Sequence, residues 1–538
     1  MPLVVHFLVQ IRQFVRDQNG DLLSDWLRVE PNASGQYQEL QAELRASYKS
    51  RSGKSGRGGK SIDQEVEDAL PQEDDVPEGQ GTAWPGLIAF MKDYMSFWRE
   101  VDFDDLLGAH QLLSSLVNSC ATAFGQPTYG AMLLKTSMSL SETLARLTMS
   151  LSRRPDLTRK LRGGAAGDED KSIAETSAEI IQKIFTICLT DRSKSRFEAP
   201  EGKKVGVYMF ANLVLKLLFA CRRTTLAKMI FVNISSISPP LALYPAAQRV
   251  TFLYYLGRFN LANAHYLRAS HCLQEAYLQT PPSFVSHRTT ILTYLIPCNI
   301  LLGRFPSQNL LERPEAARTL APVFLPLCQA VRSGNFIDFQ ACLQQHEDWL
   351  FDKGLLLPLT HRLRPLLWRS LSRKTFLLTY VPPTDANSRK AATLDLSHLH
   401  TAAVYIQRRL EGWIPSGSGS GPGSRSAANP LLKKATSNSA ETTLSPPPEG
   451  PRRLRPNEGL LWGNAEVTQD DVEMTVATLV QQGLMHGFVA HGQGRFAIIG
   501  AKAKGPVVAG WPSVWQAVRD RRYDEEFDPD EVPGWVKG

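Results

Sequence analysis

Between about residues 245 and 354 of this 538-residue chain, Gly or Pro punctuates helix, turn, helix units every thirty-odd residues. This feature restricts the fold more than any other. Each unit carries an apolar face that only a stacked neighbour can cover. Thr251–Leu256 is ended by Gly257. In the next stretch Ala262, Tyr266, Ala269, Leu273 and Ala276 recur at helical spacing on one face, and Pro281-Pro282 stops it. Thr289–Leu302 closes at Gly303, and Ala317–Arg332 turns through Gly334-Asn335 into Phe336–Phe351. The pattern predicts a mainly α fold, an α-helical repeat solenoid. The apolar fraction of 43% excludes a wholly unfolded chain.

Upstream, Gly125–Leu151, Ser172–Thr190 and Val205–Lys228 carry apolar residues three to four apart and predict further helices. Val205–Cys221 is too short, and with Asn212 and Lys216 too polar, to span a bilayer, so a buried helix is expected. Pro2–Val9 lacks a basic n-region and a cleavage site, and predicts an amphipathic helix rather than a signal peptide. Trp84, Phe90, Tyr94, Phe97 and Trp98 share a helix over Trp84–Val101, either as core or as a partner groove.

Two stretches have the composition of unfolded chain, residues 50–81 and 415–456; the second opens with ten consecutive Gly, Ser or Pro. Beyond residue 355 the repeats give way to leucine-rich Leu355–Leu378 and then Leu394–Leu410. Thr468 with Asp471 three residues on forms a capping box, and Gly483 ends that helix. Leu484–Val489, the turn His491-Gly492-Gln493-Gly494 and Arg495–Ile499 read as a hairpin. Three helices closed by a hairpin predict a winged-helix subdomain over 355–500. The other expected segments are an N-terminal helical segment (1–49), a helical domain (82–245), the repeats (246–354) and a C-terminal tail (501–538).

Seven scattered cysteines without a C-x-x-C argue against zinc ribbons and disulfides, and suit reduced core thiols in the cytosol or nucleus. His346-Glu347 has Leu350 where a zinc-binding helix needs its second His, and His398 and His400 point to different faces. Gly53-Lys54-Ser55 and Gly59-Lys60-Ser61 lack the leading glycine of a phosphate loop, with Tyr48 and Lys54 in its place. No catalytic residue, metal or cofactor is expected.

Leu355–Thr384 contains bases and no acid. On one uninterrupted helix Arg362, Arg369 and Arg373 would lie within about 40° of one another, with Lys374 beside them. Guanidinium groups so placed suit successive phosphates, or an acidic partner's carboxylates. Arg495, Lys502 and Lys504 fall in Gly487–Gly510, again free of acids, where a wing would touch a nucleic-acid backbone with little sequence preference. For both groups the alternative is a solvated surface. The insertion adds Lys433, Lys434, Arg452, Arg453 and Arg455.

Tyr254-Tyr255-Leu256-Gly257-Arg258 resembles a block of the PCI-domain family, found in the proteasome lid, the signalosome and initiation factor three. Further blocks agree in order: Tyr294-Leu295-Ile296-Pro297, Leu301-Leu302-Gly303-Arg304-Phe305-Pro306, Gly334-Asn335-Phe336, Arg369-Ser370-Leu371 and the hairpin. The chain is most similar to the subfamily of the mRNA-export and signalosome-associated subunits. Pro365 departs from the family's uninterrupted helix, so Leu355–Leu378 is expected to kink or to start at Pro365, and the insertion at 415–456 is unusual. The resemblance implies TPR-like PCI helices capped by a winged helix, in a non-enzymatic scaffold subunit of a transcription-coupled mRNA-export complex at the nuclear pore. It implies a large export scaffold and a small acidic proteasome-lid-type subunit as protein partners, RNA or DNA as ligand, no membrane, and a nuclear and also cytoplasmic location. The alternative is an assembly subunit of a signalosome- or lid-like complex with no nucleic-acid role.

The net charge of +7 conceals segregation. Residues 63–78 hold eight acids and residues 524–531 six, with no base in either block. Acidic segments of this kind are expected to screen the basic face.

Overall fold

The computed structural model describes residues 3–29, 35–48, 61–70, 84–154, 172–191, 198–382, 391–415 and 444–519. These are mainly helical and divide into two units, residues 1–259 and 260–531.

The first unit carries α1 (Leu3–Arg16), α2 (Gly20–Trp26), α3 (Gly35–Ser47), α4 (Ile62–Ala69), α5 (Pro85–Glu100), α6 (Leu106–Phe124), α7 (Leu134–Ser152), α8 (Ile173–Thr190), α9 (Val207–Ala220) and α10 (Ala227–Ile237). The division falls inside α11 (Ala246–Ala262). Trp84, Phe90, Tyr94, Phe97 and Trp98 are all buried, so the aromatic face of α5 is core and not a groove. The expected single helix over 125–151 is broken: Gly125 ends α6, and a 3-10 turn at Gly130–Leu133 restarts the chain into α7. Likewise α9 stops at Ala220, because Arg222 takes a positive φ of 60°.

The 50–81 stretch is corrected at its centre. Ser61 caps α4 and Gln64 completes a capping box, while Ile62, Val66 and Leu70 are buried against neighbouring helices that include α1 and α5. One apolar residue per turn sufficed, although the intervening positions are acidic. At the core of this unit His110 Nε2 lies 3.2 Å from Thr148 Oγ1 and 3.0 Å from Ser177 Oγ. These contacts tie α6, α7 and α8 together, and burial holds the imidazole below its usual range.

The second unit begins with α12 (Tyr266–Gln279) and α13 (Val285–Leu301), followed by the short α14 (Gln308–Glu312) and α15 (Pro314–Ala317). Next come α16 (Ala321–Ser333), α17 (Phe336–Gln345), α18 (Glu347–Asp352), α19 (Leu356–Arg362) and α20 (Arg364–Thr379). Ala269, Leu273 and Ala276 face the core as the repeat pattern requires, whereas Ala262 is exposed at the end of α11, which runs straight through Gly257. Buried Glu315 accepts from the Tyr277 hydroxyl at 2.7 Å and lies 3.5 Å from Arg288, fastening α12 and α13 to α15. Gly334, at φ 67°, ends α16 in the left-handed conformation, and Asn335 then caps α17. The 355–378 stretch is two helices, the second starting at Pro365's turn as that residue led one to expect. Leu363 separates them, and Pro365 occupies the first turn of α20, where its missing N–H is harmless.

The remainder builds a small α/β cap. β1 (Thr393–Asp395) leads into α21 (Leu396–Leu410); β2 (Ile414–Pro415) pairs antiparallel with β3 (Leu444–Ser445). Then come α22 (Gln469–Gln481), β4 (Gly487–Ala490) and β5 (Arg495–Ile498), with β5 in the middle of a three-stranded antiparallel sheet. The capping box at Thr468 and Asp471 and the Gly483 stop, at φ 67°, occur as read from the sequence.

The 415–456 stretch is corrected at its end. Residues 452–464 form a strap in which Asn457 O accepts from Gln340 and Arg364, Gly463 O accepts from Gln407, and Gln407 Oε1 accepts from Leu460 N. Residues 416–443 lie outside the described residues, yet they leave and return through one ribbon, β2–β3. Replacing 416–443 by an Asn-Gly turn should therefore leave the thermal midpoint of this unit unchanged or slightly raised, since loop closure changes by only about 0.6 kcal/mol per halving of length. A fall of more than about 5 °C in calorimetry would contradict the ribbon.

The expected tail is corrected too. Residues 501–518 fold as α23 (Ala501–Lys504), α24 (Pro506–Gly510) and α25 (Val514–Arg519). Trp511 is buried against Phe376 and Phe496, and Trp515 stacks on the Arg304 guanidinium at 3.7 Å. Residues 520–538, including Trp535 and the acidic run, lie outside the described residues. Among the described residues no helix is long and apolar enough to cross a membrane.

Candidate nucleic-acid interface

Helix α20 buries Leu366, Leu367, Trp368, Leu371 and Phe376, which turns its basic residues toward the flanks of the cap. They divide into two kinds. Arg364 and Arg369 point inward. Arg364 donates to Asn457 O at 2.8 Å, Leu460 O at 2.6 Å and also Gly459 O, holding the strap in place. Arg369 donates from Nε to Leu484 O at 3.1 Å and from Nη2 to Trp511 O at 3.0 Å and Pro512 O at 2.6 Å. Burial, with Arg373 beside it, pulls the Arg369 guanidinium down to about 10, so it stays charged at neutral pH. Its donors face carbonyls of the molecule itself, and Arg369 is a structural residue.

Arg373 and Lys374 point outward. Both are exposed, and neither forms an ion pair or hydrogen bond within the described residues. Arg362 does not share their helix. It sits at the end of α19, where its guanidinium bonds the Tyr266 hydroxyl. The three-arginine face expected from spacing is thereby reduced to Arg373 with its neighbour Lys374.

On the sheet, Arg495 stands opposite Asp395 in register, and the side chains approach to 3.8 Å. A hydrogen bond from Ser397, aided by Arg495, holds that carboxyl below its usual range. At the turn of the hairpin His491 Nδ1 lies 2.8 Å from Glu473 Oε1. Lys502 and Lys504 on α23 are exposed and, like Arg373, unpaired within the described residues.

Two of the outward cations, Arg373 and Lys504, border a groove of about 830 Å³ between α20, the end of α22, the start of β4 and α23–α25. Arg373, Lys504 and His486 supply its polar rim; Ile499, Val508 and Trp511 are among its apolar walls. Sequence reading missed His486 and these walls, because helices of four to six residues show no period. Helix α22 contributes the opposite charge. It carries Asp470, Asp471 and Glu473 and no base, so it repels phosphate. Of the strap's bases, Arg455 pairs with Glu347 at 2.7 Å and Arg452 with Glu458 at 3.4 Å, while Lys433 and Lys434 lie outside the described residues.

Burial raises the Cys120, Cys272 and Cys328 thiols to about 12, which keeps them protonated at neutral pH. No group of three His, Cys, Asp or Glu placed to hold a metal occurs among the described residues.

A PCI domain-containing protein of Schizosaccharomyces pombe is 26% identical over 399 residues, which is 74% of this chain and 83% of that protein. The chain is a relative of PCI-domain proteins. The PCI resemblance of the Tyr254–Arg258 block and its successors is thus borne out. A CSN12 homolog of Neurospora crassa is 34% identical over 213 residues, 39% of this chain and 45% of that one. PCI domain-containing protein 2 of Xenopus laevis is 31% identical over 215 residues, 40% of this chain and 50% of that one. The chain thus spans half or less of these last two PCI relatives. No family model matches the chain.

Proposed function

We propose that the chain is a non-enzymatic scaffold subunit of a transcription-coupled mRNA-export complex at the nuclear pore. Its helical repeats hold neighbouring PCI or helical subunits, and its cap, read as a winged helix, contacts RNA or DNA. The protein partners are a large export scaffold and a small acidic proteasome-lid-type subunit, and the chain works in the nucleus and also the cytoplasm. The observation that carries the nucleic-acid part is the groove rim. Arg373 and Lys504 line the groove, Lys374 and Lys502 stand beside them, and all four are exposed with no ion pair or hydrogen bond among the described residues. Arg362 and Arg495 lie outside the groove's lining and play a lesser part. The acidic α22 opposes insertion of that helix into a major groove, so contact is to backbone phosphate and weakly sequence-specific.

Reversing Arg373 and Lys504 to Glu should weaken binding of single-stranded RNA at least about tenfold at low salt, with the thermal midpoint unchanged. The slope of log affinity against log salt should flatten by about 0.7 for each phosphate left without its cation. Equal affinity of variant and parent in an anisotropy titration would refute the nucleic-acid role.

A second reading is favoured by the names of the CSN12 relatives. In it the chain assembles into a signalosome-type complex, and the same cations receive a partner's carboxylates. Affinity purification from nuclear extract separates the two. Export-scaffold peptides support the first reading, and a full signalosome set supports the second.

A further inference from the structure

The groove on the cap is not purely ionic. Val508 and Ile499, which line it, are 65% and 48% exposed, a large apolar surface to leave wet beside Arg373 and Lys504. A bare phosphodiester would use the rim and leave those walls uncovered. A peptide that combines carboxylates with aromatic side chains would cover both.

Such a peptide is part of this chain. Gln516 and Ala517 of α25 line the groove, so the polypeptide departs from its edge. Shortly beyond α25 the sequence runs Tyr523-Asp524-Glu525-Glu526-Phe527-Asp528-Pro529-Asp530-Glu531, six acids and two aromatic residues with no base. Asp524 is five residues past Arg519, at most about 18 Å of extended chain. A tether this short holds the segment at about millimolar effective concentration, so even a weak site would be filled.

We propose that Tyr523–Glu531 docks in this groove, with carboxylates on Arg373 and Lys504 and an aromatic ring on the Ile499–Val508 wall, and so competes with nucleic acid for the same cations. The competition rests on the proposed nucleic-acid reading; the docking does not.

The test uses the full chain and a neutral-tail variant in which Asp524, Asp528 and Asp530 become Asn and Glu525, Glu526 and Glu531 become Gln. A fluorescein-labelled peptide of residues 521–532 and a labelled oligouridine are the probes. The neutral-tail variant should capture the peptide, and the parent, its groove already filled, about tenfold less. Capture should vanish when Arg373→Glu and Lys504→Glu are added, and should drop when the peptide carries Tyr523→Ser and Phe527→Ser, a change that simple charge screening would not register. Oligouridine should bind the neutral-tail variant about tenfold more tightly than the parent. Peptide capture that ignores the Arg373 and Lys504 reversals, or no capture at all, overturns the docking. Oligouridine binding without peptide capture overturns the docking alone. Peptide capture without oligouridine binding keeps the docking and overturns the nucleic-acid reading.

Discussion

Replacing Arg369 by alanine should destabilise the second unit by about 2–4 kcal/mol, since a hydrogen bond to a charged group is worth about 1.5–3 kcal/mol and several are lost together. The guanidinium joins three carbonyls that come from two separate segments, Leu484 after α22 and Trp511-Pro512 after α24. Without it each carbonyl keeps its dipole in a partly dry site, and the C-terminal helices lose their anchor on α20. Trp511 is affected next, since its indole N–H donates to Ser372 Oγ at 3.1 Å, three residues along the same helix. Lysine would not repair the loss, because one ammonium cannot aim at carbonyls spread along a planar fork. The relevant measurement is the unfolding transition of this unit for Arg369→Ala and Arg369→Lys. A phosphate-binding role predicts the opposite pattern, in which the midpoint holds and RNA affinity alone falls.

Gly334→Ala should cost a similar amount, about 3–5 kcal/mol, for a different reason. At φ 67° an alanine carries left-handed strain of about 1–2 kcal/mol. Its Cβ would also sit 2.7 Å from Leu371 Cα, and closer still to that residue's amide nitrogen. Both are main-chain atoms of α20, so no rotamer relieves the clash and the turn must separate from the helix. Gly354 is the control. It has φ 70° but no heavy atom within 4 Å of the place an alanine methyl would occupy, so Gly354→Ala should show the strain alone. Equal midpoint shifts for the two substitutions would dismiss the close approach. Because Leu371 is two residues from Arg373, Gly334→Ala should also disturb the groove.

These two residues show where sequence reading succeeds. Gly334-Asn335 was legible as a turn because a positive φ and a side-chain cap are properties of the residues themselves. The Thr468–Asp471 box and the packed aromatics of α5 were legible for the same local reasons. Arg369 was not. Its partners are main-chain carbonyls more than a hundred residues away, and a carbonyl leaves no mark on residue identity. The expected arginine face failed at Leu363 and Pro365, where the helix restarts and takes Arg362 out of phase. Helix α4 stayed hidden because its buried side, Ile62, Val66 and Leu70, is thin and its surroundings are acidic. Of the candidate site, the outward cations were legible as bases in an acid-free stretch. The groove that gathers two of them depends on residues 499–517, whose helices are too short to leave a period.

The Arg369 anchor also sets an order of events during synthesis. Its guanidinium must wait for carbonyls 142 and 143 residues further along the chain. At about 5–20 residues per second that interval is roughly 7–28 s. Throughout it Phe376 near the end of α20 lacks the Trp511 ring that covers it, while α20 packs on α16, β1 and α21. The repeats, built from local contacts, can settle in that time, while the cap closes only when the last segment arrives. A nascent chain stalled shortly before residue 511 would therefore present a folded solenoid with an open, adhesive end, a natural substrate for chaperones.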